Sequence, residues 1–206
     1  MPNWCDNQVT ITGPKKIIDK IEKIANEEKG TEGLLQFMYP MPQELKDTTA
    51  DGSDNKEMIK KYGYSDWYGW ATDNWGTKWD INEFYGVDRQ GDTISFSFSS
   101  AWSPPTGAYE NFISENEDCS LKSYYYEGGC DFMGVWDNGD EHCYTISETA
   151  PDGSKDEFWD TEDGEMLDEM FNITESMAEY EAEQEADKED VHEYVKGKAM
   201  NIGEEA

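Results

Sequence analysis

The chain has 206 residues, with 47 acidic side chains against 16 basic ones and a formal net charge of −31. That length suits one well-cored domain with an appendage, and the acidity repels nucleic acid and anionic membrane while favouring basic protein surfaces. Arg89 is the sole arginine, so the guanidinium forks that grip phosphate are missing and direct nucleic-acid binding is not expected.

Cys5, Cys119, Cys130 and Cys143 include no C-x-x-C pair, so neither a metal nor another cofactor is expected. The opening "MPNWCDNQVTITG" lacks a basic n-region and an apolar h-region, and no apolar run approaches the roughly 20 residues that span a bilayer. Reduced thiols in a cytosol are the expected setting.

Along the chain, "NQVTIT" (7–12) alternates with β-branched residues and predicts a strand. Pro14 then opens a helix with Ile17, Ile18, Ile21 and Ile24 at helical spacing. From Leu34 the pattern breaks around Pro40, Pro42 and "TTADGSDN", which predicts an irregular insertion over about 34–79. Within it, Trp67 and Trp70 are three apart and Trp75 and Trp79 four apart; Gly69 and Gly76 favour two short helical turns over one helix.

"WDINEFYGV" and "DTISFSFSS", joined by "DRQG", predict a hairpin, and "SPPTGAYENFISEN" a second helix. "SLKSYYYEGG" and "CDFMGVWDNGDEHCYTIS" supply three more strands, with Gly128-Gly129 and Asn138-Gly139 as turns. The order β-α-β-β-α-β plus a hairpin predicts an α+β, ferredoxin-like antiparallel sheet with a split β-α-β core over residues 1–150.

Residues 152–206 hold 20 acidic and 4 basic side chains, a net of −16. This predicts an acidic helical extension over 151–206. Met166, Met170, Ile173, Met177 and Tyr180 recur at spacings of 4, 3, 4 and 3, the seam of an amphipathic helix. Val191, Tyr194 and Val195 offer a final anchor.

Four segments together carry a family resemblance: "MPNWCDNQVTITG", "YGYSDWYGWATDNWGTKWD", "AWSPP" (101–105) and "YYYEGGCDFMG" (124–134). Residues 1 to about 147 resemble the Api92-like proteins of phages and plasmids, named after a protein of an aphid-symbiont phage. The resemblance implies a ferredoxin-like fold, a mobile-element origin and hence a host-cell cytosol. It implies no catalytic residues.

Trp67, Trp70, Trp75 and Trp79 either plug the sheet or line an aromatic pocket; burial is the favoured reading. Asp6, Asp66, Asp73, Asp80, Glu127 and Asp131 lie in or beside the motif segments, but carboxylates are too abundant here for a catalytic pair to stand out. His142 and Cys143, adjacent on a strand, would point to opposite faces. With no nucleotide-loop, zincin or nucleophile-elbow motif, no enzyme activity is expected.

The acidic extension has a plain reading, a solvated helix or an adaptation to high salt. Its sharper reading is a decoy that imitates a nucleic-acid backbone, one charge per roughly 1.7 Å of duplex. A 30-residue helix would run about 45 Å at about 1.5 Å per residue. Glu162, Asp163, Glu165, Asp168, Glu169, Glu175, Glu179, Glu181, Glu183 and Glu185 would then present the charge to a basic, nucleic-acid-handling host protein, as an anti-defence factor would. The alternatives are a small-ligand protein binding a nucleotide-like molecule in the Trp/Tyr insertion, and an assembly protein that forms homo-oligomers through the methionine seam.

Overall fold

Alternating side chains make Trp4–Thr12 (β1) an inner strand: Cys5, Asn7, Val9 and Ile11 are buried on one face, while Asp6, Gln8, Thr10 and Thr12 take the other. The computed structural model describes residues 3–26, 33–149, 157–180 and 182. The chain divides into two compact units, 1–148 and 149–206.

In the first unit β1 leads to α1 (Lys15–Asn26), then to four short helices, α2 (Leu34–Met38), α3 (Gln43–Lys46), α4 (Lys56–Tyr62) and α5 (Trp67–Asn74). The hairpin β2 (Tyr85–Gln90) and β3 (Thr93–Ala101) follows, then α6 (Thr106–Glu115), β4 (Ser120–Glu127), β5 (Phe132–Asp137), β6 (Asp140–Thr145) and α7 (Ile146–Thr149). All six strands pair antiparallel in the order β2-β3-β1-β4-β5-β6. β1 and β2 run the same way with β3 between them, the split β-α-β arrangement, so β1 to β4 with α1 and α6 are ferredoxin-like. β5 and β6 widen the sheet, and Asn138 and Gly139 between them, at φ 49° and 102°, adopt the left-handed backbone that a two-residue hairpin turn requires.

The main core lies on the helical face. Ile18, Ile21 and Ile24 of α1 and Ala108, Tyr109 and Phe112 of α6 cluster with Val9, Ile11, Ile94, Phe96, Leu121 and Tyr125 of the sheet. Arg89 fastens β2 to α1, its guanidinium 2.7 Å from Asp19 and bonded also to Glu22.

The insertion departs from the sequence expectation. Residues 34–54 contain α2 and α3, and Leu34, Leu35, Met38, Met41 and Leu45 are buried in the main core; bunched apolar residues form helical turns between the prolines. Trp67–Asn74 is one helix, because Asp66 accepts from the Tyr68 and Gly69 N–H groups at 2.9 and 3.1 Å. A cap of this kind contributes about 1 kcal/mol, enough to offset the roughly 1 kcal/mol cost of Gly69. The stretch before Tyr85 is not a strand, since its backbone is committed to the insertion: the Ile81 carbonyl accepts from the Leu34 N–H at 3.0 Å. The β2–β3 turn sits at Gly91-Asp92, with Gln90 paired to Thr93 and the register shifting between Tyr85 and Asp88.

The second unit contains α8 (Glu162–Phe171), capped by Thr161, with Glu162, Asp163 and Glu165 in its first turn, where the helix dipole favours negative charge. Asn172, at φ 52°, ends it, and residues 173–180 are helical again. That break interrupts the expected seam. Ile173 is fully buried, Met166, Met170 and Met177 are half-buried, and Tyr180 is 64% exposed. Leu167, outside the seam's spacing, is fully buried. Glu181, Glu183, Glu185, Val191, Tyr194 and Val195 lie outside the described residues.

Gly107 in α6 sits where a Cβ would come 2.5 Å from the Asn74 carbonyl oxygen at the end of α5. Alanine there gains up to about 1 kcal/mol of helix propensity, but the backbone clash costs about 1–3 kcal/mol. Gly107→Ala is expected to lower stability in urea denaturation; an increase would show that α5 and α6 are free to separate.

Candidate functional site

One end of the sheet, where β1 begins and β3 and β4 finish, gathers all four segments that carry the resemblance. The Trp102 N–H donates to the Asn3 carbonyl at 2.9 Å. Thr77 Oγ1 donates to the Ala101 carbonyl at 2.8 Å, and Ser103 Oγ to the Gly76 carbonyl. Asn3 Nδ2 lies 3.1 Å from Cys130 Sγ, beyond the end of β4. These bonds fix Trp4, Trp79 and Trp102 relative to one another.

Asp80 sets the floor. Its carboxylate accepts from the Leu35 N–H at 2.7 Å, the Ile81 N–H at 2.8 Å and the Gln36 N–H at 3.3 Å. Burial nevertheless pushes its carboxyl above the usual range. On one side lies a groove of about 620 Å³ lined by Trp4, Trp79, Asp80, Glu83, Tyr85 and Ser99, among others. On the other lies a groove of about 350 Å³, whose lining includes Trp67, Trp75, Lys78, Trp79 and Asp80.

Open aromatic side chains gather at this end: Trp4, Tyr68, Trp79, Tyr85 and Trp102 are all at least 37% exposed. Trp4 and Trp79 stand 6.0 Å apart, ring centre to ring centre. Trp102 is presented from a backbone at φ 73°, a conformation a bulky side chain rarely adopts, and strain of that kind gathers at functional positions. Lys78 Nζ lies over the rings of Trp79 (4.5 Å), Trp102 (5.3 Å) and Tyr68 (5.5 Å).

The four tryptophans named from the sequence do not share one role. Trp70 and Trp75 belong to the core, their rings edge to face at 5.5 Å, with Trp75 Nε1 donating to the Tyr39 carbonyl at 2.8 Å. Trp67 is half-buried, and Trp79 alone of the four stands open at the site. Trp4, Tyr68, Tyr85 and Trp102 were missed as site residues. A signal existed: in "NWCDN" Trp4 falls on the face opposite Val9 and Ile11, and in "AWSPP" Trp102 lies past the end of the alternating run "ISFSFS".

Most of the motif carboxylates serve the fold: Asp66 caps α5, Asp6 accepts from Ser99 Oγ, and Asp131 accepts from the Ser147 N–H. In the acidic unit, Asp168 accepts from Thr174 N–H and Oγ1, both at 2.8 Å, and Glu175 from Asn172 Nδ2. Glu162, Glu165, Glu169 and Glu179 are exposed, and Asp163 is half-buried. Arg89 is held by α1, and Lys122 lies on β4 beside Asp137 and Tyr124, so neither lines the grooves with Lys78. Among the described residues no cluster of three His, Cys, Asp or Glu side chains is placed to hold a metal ion, and no helix is long and apolar enough to cross a membrane.

No family model matches the chain. Over 68 residues it is 31% identical to the uncharacterised protein YubB of Escherichia coli (strain K12), a match covering 32% of this chain and 47%, about half, of that relative. The chain is also similar to the crystal structure of a protein api92 from Yersinia pseudotuberculosis, assigned to the family model DUF1281. There the TM-score is 0.41 at 12% identity, covering 70% of this chain and 98% of the other.

Glu127, buried at the end of β4, accepts from the Gly129 N–H at 3.0 Å, and its carboxylate beside the exposed Cys130 raises that thiol's pKa. Only the thiolate alkylates. Iodoacetamide at pH 8 is therefore expected to modify Cys130 severalfold faster in Glu127→Gln than in the parent, read by mass spectrometry with exposed Cys143 as internal reference. Equal rates would mean that the carboxylate does not hold the proton.

Proposed function

We propose that the chain is a non-enzymatic binding protein that engages and obstructs a basic host protein. Net charge steers the encounter and the groove beside Trp4, Trp79 and Tyr85 anchors it. The observation that carries this reading is the gathering of exposed aromatic rings with Asp80 and Glu83 around a groove that has no basic side chain in its lining. Aromatic faces and carboxylates both attract lysine and arginine, and buried aromatic anchors dominate the energetics of interfaces.

A net charge of −31 favours partners whose own surface is strongly basic. Nucleic-acid-handling proteins of a host cell are the class that meets this condition, and charge mimicry of their usual ligand is how the chain would obstruct them. What supports this is the overall acidity, carried by exposed side chains of both units, rather than one long helix. The groove's volume lies in the range of small-ligand sites, but its acidic lining disfavours the phosphates of a nucleotide.

Fluorescence titration of the full chain with an arginine-rich peptide tests the reading. Binding is expected to weaken with salt, and the double variant Trp4→Ala, Tyr85→Ala to lose about tenfold in affinity at roughly physiological salt. Duplex DNA should not bind. If the variant binds as the parent does, the groove is no anchor and charge alone holds the peptide.

A further inference from the structure

The seat on the other side of Trp79 goes beyond that reading. Lys78 Nζ lies within 5.5 Å of three ring centres, inside the roughly 6 Å over which a cation is attracted to an aromatic face. Two of the walls meet almost squarely, Tyr68 and Trp102 standing at 83° with ring centres 6.2 Å apart. All three rings are between 37% and 39% exposed. The fold holds these walls deliberately apart from the hydrophobic core: Trp102 by its left-handed backbone, Tyr68 on the capped first turn of α5, and Trp79 beside the Asp80 clamp.

The present occupant is a poor fit for so apolar a seat. A primary ammonium is a compact, strongly hydrated charge with three N–H donors. Among the described residues, Lys78 has neither a salt bridge nor a side-chain hydrogen bond, although the chain carries 47 carboxylates. Rings satisfy charge but accept hydrogen bonds weakly. A quaternary ammonium has the same charge, no donors to satisfy and a methyl surface that the three rings can cover.

We infer that Tyr68, Trp79 and Trp102 form a binding seat for a trimethylammonium group, and that Lys78 is a tethered internal competitor that fills the seat until such a group displaces it. The chemistry is shared by trimethyllysine in a protein partner and by small quaternary amines such as choline. Tethering gives Lys78 a high local concentration, so wild-type affinity is reduced by the fraction of time the seat is filled.

The test uses the full-length chain and follows the indole N–H signals of Trp79 and Trp102 by NMR. Probes are trimethyllysine as its N-acetyl amide, the same derivative of unmodified lysine, choline, and 3,3-dimethylbutan-1-ol, the neutral counterpart of choline. If Lys78 fills the seat about nine-tenths of the time, Lys78→Met binds trimethyllysine about tenfold more tightly than the parent. Lys78→Arg, which refills the seat, returns the low affinity, and adding Trp102→Leu to Lys78→Met abolishes binding. Tighter binding of trimethyllysine than of choline assigns the group to a protein partner, and the reverse assigns it to a small amine.

Three results overturn the inference: no saturable shift in Lys78→Met whose remaining spectrum is that of the folded parent, equal affinities in parent and Lys78→Met, or equal binding of the neutral alcohol. None of these bears on the groove, whose test substitutes Trp4 and Tyr85. Failure here is therefore separable from failure of the basic-partner reading.

Discussion

The open end of the sheet leans on the half-buried carboxylate of Asp80. Its oxygens take backbone N–H groups from Leu35, Gln36 and Ile81, so a single side chain joins the start of α2 to the segment leading into β2. Each such bond contributes about 1 kcal/mol net, and hydrogen bonds to a charged group somewhat more. The position is tight as well: a Cβ on Gly33 would fall 2.3 Å from the Asp80 carboxylate. Without this clamp the insertion would keep its apolar contacts and bonds such as Thr77 Oγ1 to the Ala101 carbonyl, but lose the tie between α2 and the segment before β2. Trp79, next in sequence, would lose one of its supports, and with it a wall that the two grooves share.

Charge and aromaticity are divided between tasks. The sole arginine spends its guanidinium on Asp19 and Glu22, so it strengthens the fold, while the net charge of −31 keeps the overall field negative. Several carboxylates are likewise used as caps and clamps, Asp66, Asp80, Asp131 and Asp168 among them. Others, such as Glu162, Glu165, Glu169 and Glu179, are exposed. Within the first unit, exposed aromatic rings gather at one end of the sheet, where Trp4, Tyr85 and Trp102 stand open.

The strand and helix order of the first unit was legible because each element has an unambiguous period: two in "ISFSFS", and helical spacing through Ile17, Ile18, Ile21 and Ile24. The insertion was not, since its short helices are fixed by tertiary bonds such as Trp75 Nε1 to the Tyr39 carbonyl, across 36 residues, which no local pattern announces. The site was half legible. Trp79 was marked by its cluster, but Trp4 and Trp102 reach it through β1–β3 pairing that sets Trp4 opposite Ala101. The seam of the acidic unit failed at Asn172 because spacing alone does not register a left-handed residue.

The two outer strands bear on how the protein behaves in a crowded solution. β2 is kinked by its register shift and carries Gly86 at φ 60°, while β6 is short and leads with Asp140 and Glu141, both exposed. Bent, glycine-bearing or charged edges are poor templates for a further strand. Open β-sheets with free edges are prone to grow into fibrils, and this one is closed to that route at both margins without being curled into a barrel. The aromatic end can therefore stay exposed while the outer strands of the sheet behind it discourage further pairing.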